Sequence, residues 1–386
     1  MWTVVSSGVL VLALVTQTVT AKACKDDTTD NSTTTTAGDP FTTRDGAKFR
    51  VDTVLNNLDG VPWAMQFAPD GRLFVTERVG RVLIVNVTTG MYDVALQIPG
   101  VFGSGEAGLL GLALDPAFAQ NHFVYLYYTA GTSPTTGINR LVRYRETGSQ
   151  PSQLVEGVLL LDNIPASNIH DGGRLKFGPD GLLYITTGDA ATQGLAQDVS
   201  SLAGKILRLN RDGTTAPGNR FSSPVFTYGH RNPQGIDWHP TTGIMWSSEH
   251  GNVGNDEINT ISSGLNFGWP RIEANDTFPG MEAPLAVFTP SIAPSGAAFY
   301  RGSRIPQFTN NLFVATLRGT HLLRITIDDS GRRITGQERL LEGTFGRLRD
   351  VVMGPDGNMY VATNNRDGRG TPATGDDRIL RIAQGF

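Results

Sequence analysis

The chain has 386 residues, with 36 acidic and 32 basic side chains and a formal charge of −4. Charged residues make up 18% and hydrophobic ones 39%, while 46 glycines and 21 prolines punctuate the chain. This composition disfavours long surface helices and excludes collagen-like, coiled-coil and wholly disordered chains; lacking a basic surplus, it also argues against a nucleic-acid partner.

Gly8 to Val15 (GVLVLALV) is an apolar run too short for a bilayer, which needs roughly 20 apolar residues. Followed by Ala21-Lys22-Ala23, it reads as a secretory signal peptide over residues 1–23, although no Lys or Arg precedes Lys22. The expected location is therefore periplasmic or secreted. Cys24, the only cysteine, comes next. It stands either as a lipid-anchor acceptor at the cell surface or as an incidental thiol, and no disulfide can form within the chain. Lys25 to Asp39 is polar and Thr-rich, so residues 24–45 read as a disordered tether and 46–386 as the folded domain.

The folded region repeats itself. FAPDGRLFVTE from Phe67, FGPDGLLYITTGD from Phe177 and MGPDGNMYVATN from Met353 are clear copies. LALDPAFAQNHFVYLYYT from Leu112, WHPTTGIMWSSE from Trp238 and FTNNLFVAT from Phe308 are weaker ones. Each reads as strand, tight turn and strand, and several are followed by a third strand such as RVLIVN or KILRLN. Six units of about 57 residues suit radial repetition, an all-β, six-bladed β-propeller with four-stranded antiparallel blades. A pair of β-sandwiches does not repeat one hairpin in this way, and the missing helical segments disfavour a parallel α/β fold.

Several polar constellations interrupt these strands. Gly103 to Gly108 satisfies G-x-G-x-x-G but leads into a strand, without the βαβ unit that a nicotinamide site requires. Glu106 within it still suits a binding channel. No H-E-x-x-H, Cys/His zinc set or G-x-S-x-G elbow exists. His170 opens IHDGGRLKFGPDG, and Asp189 ends the next strand at the same expected rim. They fit a general base and its orienter, or else an exposed loop histidine with an unrelated carboxylate.

GHRNPQGIDWHP puts Arg231, Asn232 and Gln234 at a strand entrance, as ligand-reading groups or as a self-bonded polar turn. SSEHGNVGNDEIN, from Ser247 to Asn259, offers oxygen donors and inward-turning carbonyls for calcium, without the spacing of an EF-hand. Arg347 and Arg349 in GRLRDVVMGPDG alternate on one strand face, as a clamp for ligand carboxylates or as a solvated pair.

Taken in order, VPWAMQFAPDG, EAGLLGLALDP, HDGGRLKFGPDG, GHRNPQG, SEHG…DEIN…NFGWP and RLRDV resemble the soluble pyrroloquinoline quinone (PQQ)-dependent sugar dehydrogenases. This group includes aldose sugar dehydrogenases and soluble glucose dehydrogenases, and the similarity runs from about Val61 to Ile382. It implies a six-bladed propeller with PQQ and Ca²⁺ as cofactors, oxidising an aldose sugar at C1 to the lactone and passing electrons to an external acceptor. By motif, it implies His170 as the base and Asp189 as its holder. Arg231, Asn232 and Gln234 match cofactor and substrate contacts, with Arg231 also beside the reacting atoms. Arg347 and Arg349 match the arginines that hold PQQ carboxylates, and the Gly251 and Asn252 carbonyls match the calcium ligands.

Three departures stand out. Asn252 replaces a common proline, Arg318 replaces a cofactor-contacting lysine, and Glu106 replaces a glutamine near the substrate. Short loops after Pro294 favour broad aldose specificity. The alternatives are a non-catalytic extracellular binding module, which has no reason to keep the whole polar set, and a calcium-dependent propeller lactonase, which needs no arginine pair.

Overall fold

The computed structural model describes residues 40–133, 137–149 and 151–385. The expected signal peptide, Cys24 and most of the expected tether lie outside the described residues.

Local chemistry sets the hairpins. In the three clear repeats, the aspartate of Pro-Asp-Gly accepts from the amide two residues on: Arg72 to Asp70, 3.0 Å; Leu182 to Asp180, 3.1 Å; Asn358 to Asp356, 3.1 Å. The following glycine takes the left-handed conformation that the turn demands, φ 88° at Gly71. These turns join the first two strands of their blades, and in five of the six sheets strand order follows the chain. The first sheet runs Pro62–Phe67, Leu73–Glu77, Arg81–Asn86 and Met91–Gln97.

Six such antiparallel sheets form the blades of a β-propeller. The second strand of a blade is covered on both faces by neighbouring blades, which is why LFVTE, LYITT and MYVAT are buried throughout. One cluster accordingly joins Phe74, Leu126 and Leu207 from three successive blades. The outermost strand of the first blade, Met91–Gln97, is mostly exposed or half-buried. Among the described residues, helix is limited to Phe118–Asn121 and two 3₁₀ turns.

The first strands of the six blades, Pro62–Phe67, Leu109–Leu114, Leu175–Phe177, Pro233–Trp238, Pro294–Phe299 and Leu348–Met353, surround the axis. All run in the same direction, so one mouth of the channel is built by the loops that enter them and the other by the turns that leave them. Crowding at the axis requires glycine: a Cβ at Gly235 would collide with the Ser295 carbonyl, and one at Gly296 with the Asp350 carboxylate.

The ring closes through its ends. Lys48–Leu55 pairs with Ile379–Gln384, adding to the last sheet, and Phe41–Thr42 adds a further short strand. The expected domain boundary at residue 46 therefore falls inside a hairpin. Phe41 stacks on Phe49 at 5.3 Å, and Asp45 lies 2.7 Å from the buried Arg324 guanidinium. These anchors order residues that composition alone assigns to the tether.

Candidate active site

The loops entering the inner strands converge at one mouth of the channel. His170 sits there in a left-handed conformation, φ 62°, followed by Gly172 and Gly173 with positive φ. The turn exists because the backbone must pass close to the next strand: a Cβ at Gly172 would meet Thr187. It aims the ring inward, where Nδ1 lies 2.8 Å from Asp189 Oδ1. Asp189 is wholly buried and is itself fixed by the Ala191 amide at 2.9 Å and the Trp269 indole N–H at 2.8 Å. A carboxylate only accepts, so Nδ1 carries the proton and Nε2 keeps its lone pair. The expected histidine–carboxylate pair is thus assembled.

Glu106 binds this loop to the neighbouring ones. Its Oε2 accepts from the His170 amide at 2.9 Å and from Asn232 Nδ2 at 3.4 Å, while its Oε1 pairs with Arg369 at 2.8 Å. Burial raises the Glu106 carboxyl, but His250, the His170 amide and Arg369 outweigh it and hold it at about 2. Asn232 is buried, with Oδ1 accepting from the Gly172 amide and its backbone N–H donating to Glu249. Glu249 also takes the Arg231 amide and, at 2.8 Å, His230 Nδ1. The GHRNPQG turn is therefore held by buried polar contacts rather than left open to solvent.

A cavity of about 310 Å³ opens beside Glu106, lined by Gln234, His250, Arg318, Arg347, Arg349 and Arg369 among others. Asp367 pairs with Arg347 at 2.7 Å, so four arginines face two carboxylates and leave a surplus of two positive charges. Arg349 is buried without an acidic partner. Its donors go to Gln234 Oε1 (2.9 Å), Ser295 Oγ (3.3 Å) and Asn364 Oδ1 (3.2 Å), all neutral. Burial and the neighbouring Arg78 and Arg347 pull its guanidinium down to about 9.

The expected alternation of Arg347 and Arg349 along one strand is not what brings them together. Arg347 precedes the strand Leu348–Met353 and already meets Asp367. A register shift between Leu348 and Asp350 lets Asp350, as well as Arg349, contact groups at the axis. Arg318 lies on the exposed rim of the cavity.

A second, smaller cavity of about 20 Å³ lies between Arg231, His250, Gly251, Asn252 and Trp269, so His250 faces both. Arg231 rests 5.4 Å from the Trp269 ring centre. The Gly251 and Asn252 carbonyls accept no hydrogen bond from the described residues, whereas Asn252 Nδ2 donates to Glu273 at 3.3 Å. No group of three or more His, Cys, Asp or Glu side chains with metal-holding geometry occurs among the described residues. Buried atoms without partners at this mouth include Arg231 Nε, His250 Nε2 and Arg349 Nε.

Sequence reasoning left out His250, Trp269 and Arg369. His250 stands in the SSEHG motif itself, and Trp269 in NFGWP. Arg369 carries no local signal, because it reaches Glu106 from a loop 263 residues away in the chain. Burial lowers the His250 ring below the usual histidine range.

A propeller with a histidine–carboxylate pair at the mouth of an arginine-rich channel has the parts of an enzyme that moves a proton beside an anionic ligand. Its family follows from comparison: the chain belongs to the glucose/sorbosone dehydrogenase family, whose sequence profile it matches over residues 59–380. It is similar in structure to the PQQ-bound form of aldose sugar dehydrogenase from Streptomyces coelicolor, with a TM-score of 0.79 and 40% identity, covering 87% of this chain and 98% of that one. It is 32% identical over 345 residues to the aldose sugar dehydrogenase YliI of Escherichia coli, covering 83% of this chain and 92% of that relative. Quinoprotein glucose dehydrogenase B of Acinetobacter calcoaceticus is 29% identical over 405 residues, covering 81% and 84% respectively.

Proposed function

We propose that this protein is a PQQ- and calcium-dependent dehydrogenase that oxidises the C1 hydroxyl of aldose sugars to the lactone. The observation that carries this reading is Arg349, a buried cation with no acidic partner in a cavity with surplus positive charge. Such a charge is costly unless an anion joins it. PQQ brings three carboxylates, whereas an aldose brings none. The unpartnered donors of Arg231 and Arg349 add places for an oxygen-rich ligand.

The donor set fits this cofactor pair. Arg349, with Arg318 at the rim and the remaining donor of Arg347, would hold the PQQ carboxylates; Gln234 keeps the Arg349 guanidinium in place. The open carbonyls of Gly251 and Asn252 are hard oxygen donors suited to calcium. Bound together, the cofactors supply the electron acceptor and the Lewis acid that the polypeptide lacks.

The chain's own residues handle the proton. His170 Nε2 accepts it from the C1 hydroxyl, while Asp189, fixed by Trp269, keeps the ring in its tautomer and stabilises the imidazolium. Ionised Glu106 accepts from a sugar hydroxyl. Asn232 acts as a positioning residue between Glu106 and the His170 loop. Arg231, stacked on Trp269 beside His170's carboxylate, faces the reacting groups. An external acceptor must then re-oxidise the site. The apolar run Gly8 to Val15 supports export, with Cys24 offering a surface anchor.

Reconstitution tests this reading. Purified protein incubated with PQQ and calcium should oxidise glucose and other aldoses in a dye-linked assay, and neither cofactor alone should suffice. Failure to take up PQQ at micromolar concentration would overturn it.

A further inference from the structure

The channel has a second mouth, where the inner strands end. A cavity of about 210 Å³ opens there, walled by Met65, Phe67, Leu112 and Met353 and floored by Arg174, Lys176 and Arg301. Trp63 separates it from the site described above: the Arg174 guanidinium lies 4.5 Å from the Trp63 ring centre, and Arg349 lies 5.7 Å from it.

The charges at this mouth do not cancel. Asp237 pairs with Lys176 at 3.0 Å and with Arg301 at 2.7 Å, while Asp350 pairs with Arg174 at 3.1 Å. Three cations thus share two carboxylates, leaving one positive charge. Both terminal nitrogens of Arg301 are engaged: Nη1 donates to Asp237 and the Phe299 carbonyl, and Nη2 to Asp237 and the Trp238 carbonyl. Arg174 is not. It is 6% exposed, its Nε donates to the Gln234 carbonyl, and its Nη2 is buried with no partner. Lys176 spends its ammonium on Asp237 and keeps two further donors.

A buried guanidinium N–H without an acceptor costs free energy, and polar groups of this kind are almost always satisfied. A carboxylate matches the fork of a guanidinium and the leftover charge. The walls around it are largely apolar. We infer that this second mouth is a binding site for a small monocarboxylate with a short apolar tail, held by Arg174 and Lys176. The site is separate from the sugar-oxidising one and adds a second ligand to the molecule.

Calorimetric titration with butyrate tests this, on the protein with and without PQQ loaded. Saturable one-to-one binding is expected, unchanged by PQQ, with butyramide inert. Lys176→Gln should weaken it at least about tenfold, the loss of one charge-assisted hydrogen bond. Arg174→Gln should do the same, and Met353→Trp should abolish binding by filling the cavity from its apolar wall without removing a charge. Absence of saturable binding, equal binding of butyramide, or full affinity in folded Lys176→Gln and Met353→Trp would overturn the inference. Competition with PQQ, or loss of binding in Arg349→Gln, would place the carboxylate at the other mouth and overturn it equally.

Discussion

Replacing Arg349 should make the unliganded protein more stable and less able to hold its cofactor. Burial and two neighbouring arginines lower this guanidinium from its ordinary range to about 9. At 1.36 kcal/mol per unit, that shift is a charge penalty on the order of 5 kcal/mol. Arg349→Met removes the charge and keeps the volume. It strands Asn364 Oδ1 and one lone pair of Gln234 Oε1, each costing about 1 kcal/mol. The net expectation is stabilisation by roughly 1–4 kcal/mol, the range seen when buried charges give way to apolar residues. For a domain of this size, that is a rise in Tm of a few degrees. In the same variant, PQQ affinity should fall by more than about tenfold. Differential scanning calorimetry of unliganded protein and fluorescence titration with PQQ read the two effects separately. A lower Tm together with unchanged PQQ affinity would refute the reasoning, because Arg349 would then be a structural cation already balanced by the fold.

His170→Ala should lose roughly 10²–10⁴-fold in turnover while binding PQQ normally; near-wild-type turnover would remove the base assignment. Calcium removal should abolish activity reversibly and lower the Tm, since a ligand of the folded state alone stabilises it; full activity after verified metal removal would count against the Gly251 and Asn252 carbonyls. Burial raises Asp171 to about 7 against the hydrogen bonds of Asn139 and Ser167. The folded state therefore keeps this proton longer than the unfolded one. Stability from this group is full below pH 3.8 and is lost as pH rises to about 7. Asp171→Asn should flatten that part of the Tm–pH curve, and an unchanged slope would assign it to other groups.

The propeller was legible because its hairpins are local. Pro-Asp-Gly specifies the turn within five residues, and the doubly covered second strands advertise themselves as apolar runs. The ends were harder. Phe41 and Asp45 find their partners in Phe49 and in Arg324, and the second of these lies 279 residues away. No composition window reports such a contact. The same limit applies at the site. His170 and Asp189 stand 19 residues apart on one blade, so their pairing followed from the repeat. The Arg369–Glu106 pair joins two blades and had no local signal. The bulge at Leu348 and Asp350 shows a different failure: period-2 reasoning assumes an unbroken ladder, and one extra residue lets Arg349 and Asp350 both contact groups at the axis.

Sugar C1–H oxidation is assigned here to the mouth that holds His170 and Arg349. Single-turnover mixing tests it most directly. Protein loaded with PQQ and calcium is mixed without oxygen or dye with glucose carrying hydrogen or deuterium at C1, and the cofactor absorbance is followed. The expected result is one equivalent of cofactor reduced per chain, more slowly with the deuterated sugar, and far more slowly still in His170→Ala. Unchanged cofactor absorbance on adding any aldose to fully loaded protein would contradict the account.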